Sequence, residues 1–442
     1  MTANAASQHR MAGLASMAGT TIEWYDFFLY GTAAALVFNK LFFPALDPLS
    51  GVLAAFATYA VGFIGRPLGG IVFGHFGDKV GRKSMLILTL LMMGVPTVLI
   101  GLIPTYDSIG YWAAVLLVTL RFLQGVAVGG EWGGAVLMAV EHAPEGRKGF
   151  YGSLPQTGVG AGLVLSTLAM TAVSSLPEED MLSWGWRLPF LASSVLLIVG
   201  WLIRVKVAES PDFERLKKAA SAQSAAAKTA SAPVTAKLPI KIVLRDHRRA
   251  VLTIIGARMA ENAWFYLAAT FALAYTTGPL ELPRADVLSA ITAGAALSLI
   301  TMPLAGWLSD RIGQKRLYLI GVTLLMLYVW PFFALLATRD LDQVWLAMVI
   351  ALGVVFPLMY APESQLFARQ FPAAVRYSGI SLGVQIAGVL GGGLAPMIAT
   401  ALLAKGSGSP HYVIAYLLGL SAIALVSAAM MTSDKTHAGD SP

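Results

Sequence analysis

Eight charged residues lie inside long apolar runs of this 442-residue chain, away from the ends of the runs: Glu23, Asp26, Arg66, Arg121, Glu131, Arg258, Glu261 and Glu363. A charge near the centre of a membrane-spanning helix costs about 2.5–3.5 kcal/mol on insertion scales. Side chains retained at that cost indicate binding or ion-coupling chemistry. They are predicted to face one another or a wet cavity.

Two of the acids lie on one face of the first apolar run. Glu23, Asp26 and Tyr30 follow the i, i+3, i+7 spacing of a helix face. Two carboxylates this close in a low dielectric cannot both ionise cheaply, so the pair is predicted to retain a proton near neutral pH. This predicts a proton-coupling site at Glu23 and Asp26. The alternative is that both acids only form ion pairs with arginines and hold the helices together.

The buried arginines predict a binding site for an organic anion. Arg121 has Gln124 one helical turn away, and a guanidinium forms a bidentate pair with a carboxylate. Arg258 and Glu261 share a face in the same way. The predicted substrate-binding residues are Tyr30, Arg121, Gln124, Gln156, Arg258, Glu261, Tyr266 and Gln385. The alternatives are fixed ion pairs for the charged residues and interhelical hydrogen bonds for Gln156 and Gln385.

A charge count links the anion to the proton. Three acids (Glu23, Asp26, Glu261) face two arginines (Arg121, Arg258). If Glu23 and Asp26 share one proton, the empty cavity is neutral. A monocarboxylate that enters with one further proton leaves the cavity neutral, so the count predicts that anion and proton load together.

The elements that must position these residues follow from composition. The chain is 57% hydrophobic and only 12% charged, with a mean hydropathy of +0.69, whereas soluble domains are about 25% charged. This composition excludes a soluble enzyme and favours an all-α membrane protein with twelve transmembrane helices of about 20 residues or more. The apolar runs lie at 12–37, 50–74, 84–103, 109–139, 150–176, 187–205, 250–277, 285–309, 316–337, 343–367, 376–404 and 410–431.

The twelve runs fall into two six-helix bundles, predicted at 1–205 and 250–442. Residues 206–249 include a low-complexity Ala/Ser/Lys stretch that cannot bury a core and predicts a cytoplasmic linker. GHFGDKVGRK at 74–83 follows the second run, and GWLSDRIGQKR at 306–316 follows the eighth. Repetition of six-helix units at corresponding positions indicates pseudo-symmetric halves, as in transporters.

Most of the 31 Lys and Arg residues lie on the side that holds the termini and the linker. The positive-inside rule makes that side cytoplasmic, which predicts a multi-pass protein of the bacterial inner membrane with both termini inside. The basic charge therefore reports topology and predicts no nucleic-acid partner. The histidines are scattered, and the sequence contains no cysteine and no phosphate-binding loop. We therefore expect no metal site and no cofactor, and we do not expect the chain to be an enzyme.

The motif after the second run resembles G-x-x-x-D-[RK]-x-G-R-[RK] of the major facilitator superfamily. Further stretches resemble the metabolite:proton symporter family: EWYDF at 23–27, RFLQGVAVGGEWGGA at 121–135, ESP at 209–211 and RYSG at 376–379. The resemblance implies the major facilitator fold, alternating access, a proton as coupling ion and a monomer in the lipid bilayer. It also implies a conformational gate, whose candidate residues are Arg66, Asp78, Lys79, Arg82, Glu131, Asp310, Arg311 and Glu363.

The expected function is proton-coupled symport, in the direction of uptake, of a small organic carboxylate that is shikimate-like, a dicarboxylate or a keto acid. One alternative is a proton symporter of a compatible solute such as proline or betaine, for which Trp24, Trp132 and Trp264 could supply an aromatic cage. The other alternative is an efflux carrier for drugs or aromatic acids.

Overall fold

A computed structural model describes residues 3–46, 48–174, 176–206, 209–210, 213–215 and 239–432. Within these residues the chain forms twelve long helices and no strand. The predicted linker falls largely on 216–238, and the end of the C-terminal tail on 433–442, both outside the described residues.

Each long helix overlaps one of the predicted apolar runs. The bounds are α1 (Ala3–Ala33), α2 (Pro48–Val80), α3 (Arg82–Leu102), α4 (Trp112–His142), α5 (Lys148–Ser174), α6 (Arg187–Lys206), α7 (Arg248–Tyr266), α8 (Arg284–Ile312), α9 (Gln314–Ala337), α10 (Leu341–Ile350 and Phe356–Ala368), α11 (Arg376–Ala387 and Ala395–Lys405) and α12 (His411–Met430). Short helices lie between them at Tyr106–Ile109, Glu178–Asp180, Met181–Gly185 (a π-helical turn) and Pro239–Asp246.

Four of the long helices contain a π-helical turn, which widens the helix and locally breaks its regular hydrogen bonding. In α1 the turn is Ala34–Phe38 and leads into Asn39–Leu41; in α7 it is Leu267–Phe271 and leads into Ala272–Thr277. In α10 it is Ala351–Val355 and in α11 it is Gly388–Gly393. These turns provide places at which the helices can bend.

Nine of the twelve helices, α3 to α6 and α8 to α12, are long and apolar enough to cross a membrane on the composition of their described residues. The other three are α1, α2 and α7. They contain the charged residues Glu23, Asp26, Arg66, Arg258 and Glu261.

The helices pack as two halves with matching contacts. In the N-terminal half α1 packs on α5 and α4 packs on α2 and α3, while in the C-terminal half α7 packs on α11 and α12 and α10 packs on α8 and α9. The halves meet chiefly where α2 contacts α11 and where α5 contacts α8. Exchange of the two halves converts one of these contacts into the other, so the interface is itself pseudo-symmetric.

Glycines permit the closest of these approaches. A Cβ on Gly158 would lie 2.7 Å from the Met17 carbonyl oxygen of α1, and a Cβ on Gly160 would lie 2.9 Å from the Ala295 carbonyl oxygen of α8. Backbones this close leave no room for a side chain. The glycines of α5 therefore hold it against both of its neighbours, α1 in its own half and α8 in the other.

At one end of the bundle each half caps a helix of the other half with an aspartate. Asp78 of α2 accepts hydrogen bonds from the backbone N–H groups of Tyr377 (3.3 Å) and Ser378 (3.0 Å) at the start of α11. Asp310 of α8 accepts from the backbone N–H groups of Gly149 (2.6 Å) and Phe150 (2.8 Å) at the start of α5. A carboxylate at a helix N-terminus satisfies free N–H groups and complements the helix dipole. We call these two contacts the aspartate caps.

Arginine pairs reinforce the Asp78 cap. Arg82 lies 3.7 Å from Asp78 and 3.5 Å from Glu141, and it donates a 3.0 Å hydrogen bond to the Ala373 carbonyl oxygen of the other half. Arg376 of α11 pairs with the same Glu141 at 3.0 Å. Glu209, which follows α6, accepts a 3.1 Å hydrogen bond from the backbone N–H of Arg82. The beginning of the connection between the halves is thus bound to the capped end of the bundle.

Five of the eight predicted gate residues lie at the capped end of the bundle. Asp78, Arg82 and Asp310 contact the opposite half, whereas Lys79 and Arg311 are exposed. Arg311 stacks on Trp307 of its own helix, 3.8 Å from the ring centroid. The other three candidates, Arg66, Glu131 and Glu363, lie in the interior of the bundle and are described below.

Loss of the Asp78 charge should open the capped end. Because the chain contains no cysteine, Ser381→Cys introduces a single thiol at a buried position of α11 beside Gly133. A charge at a helix N-terminus and its hydrogen bonds contribute on the order of 1–2 kcal/mol. Asp78→Asn should therefore raise the rate of maleimide labelling at that thiol by about 5- to 30-fold.

Lys79→Gln is the matched control, since it removes an adjacent exposed charge, and it should leave the labelling rate unchanged. Equal rates in the Asp78→Asn and Lys79→Gln backgrounds would show that the cap does not hold this end closed.

Candidate substrate and proton site

Arg121 is buried on α4 among aromatic rings. Its guanidinium carbon lies 4.3 Å from the ring centroid of Tyr30, 4.9 Å from that of Tyr59 and 5.3 Å from that of Phe27. A cation over an aromatic face is stabilised by the ring quadrupole. Within the described residues, no carboxylate forms an ion pair with Arg121, and its Nε has no hydrogen-bond partner. The aromatic rings therefore hold the guanidinium in position, while its Nε–H group remains without an acceptor.

A chain of hydrogen bonds connects Arg121 to Asp26. Arg121 donates to the Gln124 side-chain oxygen (3.3 Å), and the Gln124 amide donates to the Thr97 hydroxyl (2.7 Å). The Thr97 hydroxyl in turn donates to Asp26 (2.6 Å), which also accepts a 3.1 Å bond from Ser193. The sequence left open whether Arg121 and Asp26 form a fixed ion pair. In the structure they are connected indirectly, through the side chains of two polar residues.

Glu23 and Asp26 line a small cavity of about 10 Å³, which has room for about one water molecule. They do not hydrogen-bond to each other, and Glu23 Oε2 has no hydrogen-bond partner. Both side chains are nearly inaccessible to solvent, as are the two arginines of the cavity. The cavity is enclosed by residues of α1 to α4: Glu23, Asp26, Phe27, Gly62, Arg66, Met93, Arg121, Gln124, Gly125 and Val128.

Arg66 belongs to this cavity and not to the gate, for which it was a candidate. Its guanidinium carbon lies 4.5 Å from the Phe63 ring centroid and 4.9 Å from that of Phe27, and the group contacts Tyr266 of α7. Pro67 follows Arg66 within the same helix, and the guanidinium reaches residues of α1 and α7. Tyr266 also packs its ring against Phe63, so it joins the C-terminal half to the wall of the cavity.

Glu131 is likewise interior and not part of the gate. It pairs with Arg204 of α6 and accepts a 2.6 Å hydrogen bond from the Thr89 hydroxyl of α3. All three residues belong to the N-terminal half, so this contact does not join the two halves. The sequence analysis missed Arg204 because it lies near the end of α6, where a basic residue is explained by anchoring at the membrane surface.

Arg258 of α7 forms a buried triad with two carboxylates. It pairs with Glu363 of α10 and lies 3.4 Å from Glu261, one turn along its own helix. Glu363 is therefore a partner of a predicted substrate-binding arginine and not a gate residue. The sequence did show Arg258 and Glu261 on one face, but nothing in it indicated that α10 would bring a second acid to the same guanidinium.

The remaining predicted binding residues form hydrogen bonds between the halves. Gln156 of α5 donates to the Ser364 hydroxyl of α10 (3.0 Å), and Gln385 of α11 donates to the Gly129 carbonyl oxygen of α4 (3.0 Å). Trp132 of α4 donates to both Gln156 (3.0 Å) and Tyr360 of α10 (3.1 Å). Both glutamines thus adopt the interhelical alternative in this closed arrangement.

The other residues singled out in the sequence are Tyr30, as a binding residue, and three tryptophans, as candidates for an aromatic cage. Tyr30 hydrogen-bonds with the Thr58 hydroxyl of α2 (2.7 Å) while its ring covers Arg121. Trp24 packs on Phe27, Trp132 lies 4.9 Å from the Arg258 guanidinium carbon, and Trp264 packs 5.0 Å from Phe332. The three tryptophans therefore contact different groups. No set of three potential metal ligands is brought together among the described residues.

Comparison with known proteins places this arrangement in a family. The model of the Major Facilitator Superfamily matches residues 17–396 and, in a second match, 273–442. The chain is 43% identical over 426 residues to the shikimate transporter of Escherichia coli (strain K12), covering 96% of this chain and 95% of that protein. It is 32% identical to the proline/betaine transporter of the same strain, with 98% of this chain and 86% of that one covered.

The fold is also that of a solved structure. The proton:xylose symporter XylE bound to 6-bromo-6-deoxy-D-glucose superposes with a TM-score of 0.74 over 96% of this chain and 95% of that one, at 15% identity. The relatives are named as transporters, and the chain is a membrane transporter rather than an enzyme. On the family match and on these relatives, the chain belongs to the Major Facilitator Superfamily.

Proposed function

We propose that this transporter takes up a small organic carboxylate together with protons, and that Arg121 binds the carboxylate. The observation that carries the proposal is the arrangement of Arg121: a buried guanidinium, held by three aromatic rings and one amide, without an ion-pair partner among the described residues. Removal of an unpaired charge from water is costly. An anionic ligand that forms a bidentate pair with the guanidinium would offset that cost.

Glu23 and Asp26 are the proposed proton-coupling residues of the same cavity. Asp26 accepts two hydrogen bonds, and one of its donors, Thr97, also accepts from Gln124 beside Arg121. Protonation of Asp26 would remove an acceptor from this chain and change the orientation of Thr97 and Gln124. The chain therefore offers a path by which proton binding and ligand binding at Arg121 influence each other, without a direct Asp26–Arg121 pair.

A hydroxylated or keto acid of the shikimate type is the proposed substrate class. Support comes from the 43% identity to a shikimate transporter over nearly the whole chain and from the mixture of one free guanidinium with amide and hydroxyl groups at the cavity. Gln124, Thr97 and Tyr30 could each exchange a present hydrogen bond for one to a ligand hydroxyl.

A compatible solute such as proline or betaine is the alternative, and the 32% identical proline/betaine transporter is the observation in its favour. Betaine also carries a carboxylate for Arg121. Its quaternary ammonium, however, requires free aromatic faces, and Phe27, Tyr30, Tyr59 and Phe63 already face the guanidinium groups of Arg66 and Arg121. The cavity therefore favours an anion over a zwitterion.

The proposed location is the bacterial inner membrane, with the capped end and both termini on the cytoplasmic side. The aspartates of the caps belong to the two basic motifs at 74–83 and 306–316, and the positive-inside rule assigns segments rich in Lys and Arg to the cytoplasm. With that end closed, the carrier would alternate between this arrangement and one in which the caps are broken. We propose that a monomer performs this cycle without a cofactor.

Uptake by reconstituted protein tests the function directly. The purified carrier is placed in weakly buffered liposomes, and shikimate, 2-oxoglutarate, citrate, proline and betaine are added in turn while the external pH is recorded. Alkalinisation with a carboxylate, abolished in Asp26→Asn, is the expected result. Alkalinisation with betaine or proline alone would support the compatible-solute alternative. Silence with every compound, together with increased drug resistance of expressing cells, would identify an efflux carrier.

Arg121→Lys tests the binding role of the guanidinium. The substitution keeps the charge but loses the two-pronged geometry, and hydrogen bonds to charged groups contribute about 1.5–3 kcal/mol. The KM for the transported carboxylate should therefore rise roughly 10- to 100-fold, measured as counterflow of labelled substrate in the absence of a proton gradient.

Arg187→Lys is the matched control. Arg187 donates to the carbonyl oxygens of Gly101 and Ile103 at the end of α3 and stacks on Trp186, outside the cavity. Its KM should stay at the wild-type value. A similar KM for the wild type and Arg121→Lys would rule out carboxylate binding by Arg121.

A further inference from the structure

The Arg258 triad has more negative than positive charge. Glu261 and Glu363 both face the one guanidinium of Arg258, and all three side chains are buried, with Glu363 completely inaccessible to solvent. Glu363 Oε1 has no hydrogen-bond partner, and Glu261 Oε2 lies 3.4 Å from the Arg258 guanidinium without forming a hydrogen bond. Both carboxylates thus have an oxygen on which a proton could reside, and protonation would lower the cost of burying them.

The other half of the interior is balanced. Its three carboxylates, Glu23, Asp26 and Glu131, are accompanied by three arginines, Arg66, Arg121 and Arg204. The count made from the sequence had placed the excess negative charge on Glu23 and Asp26, because it omitted Arg66, Arg204, Glu131 and Glu363. With these four residues included, the excess lies in the C-terminal half.

Within the part of the chain that the structure describes, the surroundings of the triad supply no second cation. The titratable groups that face it are tyrosines: Tyr318 on α9, Tyr360 on α10 and Tyr266 on α7. Tyr318 donates its hydroxyl to the Ala257 carbonyl oxygen, and the ring of Tyr360 covers Arg258 at 4.6 Å. From the N-terminal half, α4 contributes the uncharged Trp132, and Arg66 of α2 contacts Tyr266 rather than either carboxylate.

We propose that Glu261 and Glu363 share one proton beside Arg258 and form a proton-binding site in the C-terminal half, which releases its proton during the transport cycle. With one proton, the triad is neutral: one ionised carboxylate pairs with the guanidinium, and the other is a neutral acid. Two ionised carboxylates on one buried guanidinium would leave a net charge in a medium that cannot solvate it. Because the carboxylates interact through the same cation, they titrate as a pair.

The position of the triad connects this proton to movement of the halves. Tyr360 lies over Arg258 and, through its hydroxyl, accepts a hydrogen bond from Trp132 of the other half. Separation of α4 from α10 would break that bond, remove the cover of Trp132 from Arg258 and admit water to the carboxylates. The role in transport rests on the proposed function, whereas the shared proton rests on the triad alone.

Infrared spectroscopy of the membrane-reconstituted protein tests the shared proton without any substrate. A protonated carboxylic acid has a carbonyl stretching band that is distinct from the bands of a carboxylate. Either Glu261→Gln or Glu363→Gln should remove the same acid band at neutral pH, because the glutamate that remains then pairs with Arg258 as an ion. Each substitution resembles the protonated side chain and preserves a one-to-one pair, so both variants should fold.

Glu131→Gln is the matched control, since Glu131 is equally buried but already has a partner in Arg204. It should leave the acid band unchanged. Retention of the band in either Glu261→Gln or Glu363→Gln, or its loss in Glu131→Gln, would overturn the proposal. The band of the wild type should also decline as the pH is raised, and a band that is constant over the range in which the protein stays folded would contradict an exchangeable proton.

Transport measurements test the release of the proton. Glu363→Gln should abolish accumulation driven by a proton gradient while labelled substrate still exchanges by counterflow, and the exposed control Glu179→Gln should retain both activities. Undiminished proton-driven accumulation in Glu363→Gln would refute the coupling role. A wild-type protein that moves none of the tested compounds would contradict the proposed function instead, and the infrared result would still decide whether the proton is shared.

Discussion

The structure depends on the cost of charge that is buried between helices where water cannot reach it. Among the described residues, four arginines lie in the interior with the buried carboxylates, and these arginines are accommodated in two ways. Arg204 and Arg258 pair with carboxylates, whereas Arg66 and Arg121 stack on aromatic rings. A guanidinium on a ring keeps much of its hydrogen-bonding capacity, so the stacked arginines are the ones available to an incoming ligand.

The two halves share a framework but differ in their interiors. Both have an aspartate near the end of α2 or α8, Asp78 or Asp310, and both turn into the next helix at a glycine with positive φ, Gly81 (126°) and Gly313 (96°). The corresponding interiors contain three acids with three arginines in one half and two acids with one arginine in the other. The two halves thus share the framework of their motif ends, while their buried charged residues differ.

Much of this architecture could be predicted from the sequence, because apolar runs and the repeated motif are local signals. All twelve helices overlap the predicted runs, and the eight intramembrane charges are buried. Partners were less accessible, since helical periodicity gives the face on which a residue lies but not the helix opposite. Arg66, Glu131 and Glu363 were therefore assigned to the gate. In the structure, Arg66 contacts residues of α1 and α7. Glu131 pairs with a residue of α6, and Glu363 pairs with a residue of α7.

The polar residues of the cavity were also hard to predict, for a related reason. Thr97 and Ser193 resemble many other hydroxyl residues in apolar runs, where most bond to their own helix backbone. Only the packing of α3 and α6 against α1 brings both of them to Asp26. A similar argument applies to Glu141. In the sequence it resembles a surface charge, and only the packing of α11 brings Arg376 to it.

The aspartate caps have a consequence for how the sequence can vary. Both carboxylates bind main-chain N–H groups, and every residue except proline provides such a donor. The Ser378 hydroxyl also donates to Asp78 (2.8 Å), and a change of that side chain would remove this bond. The four main-chain donors to Asp310 and Asp78 remain when the side chains that carry them change to any residue except proline. A substitution of the aspartate therefore removes the acceptor of a whole cap, whereas a substitution at the start of the opposite helix leaves its main-chain donors in place. The sequence of that helix start can vary more than the aspartate can.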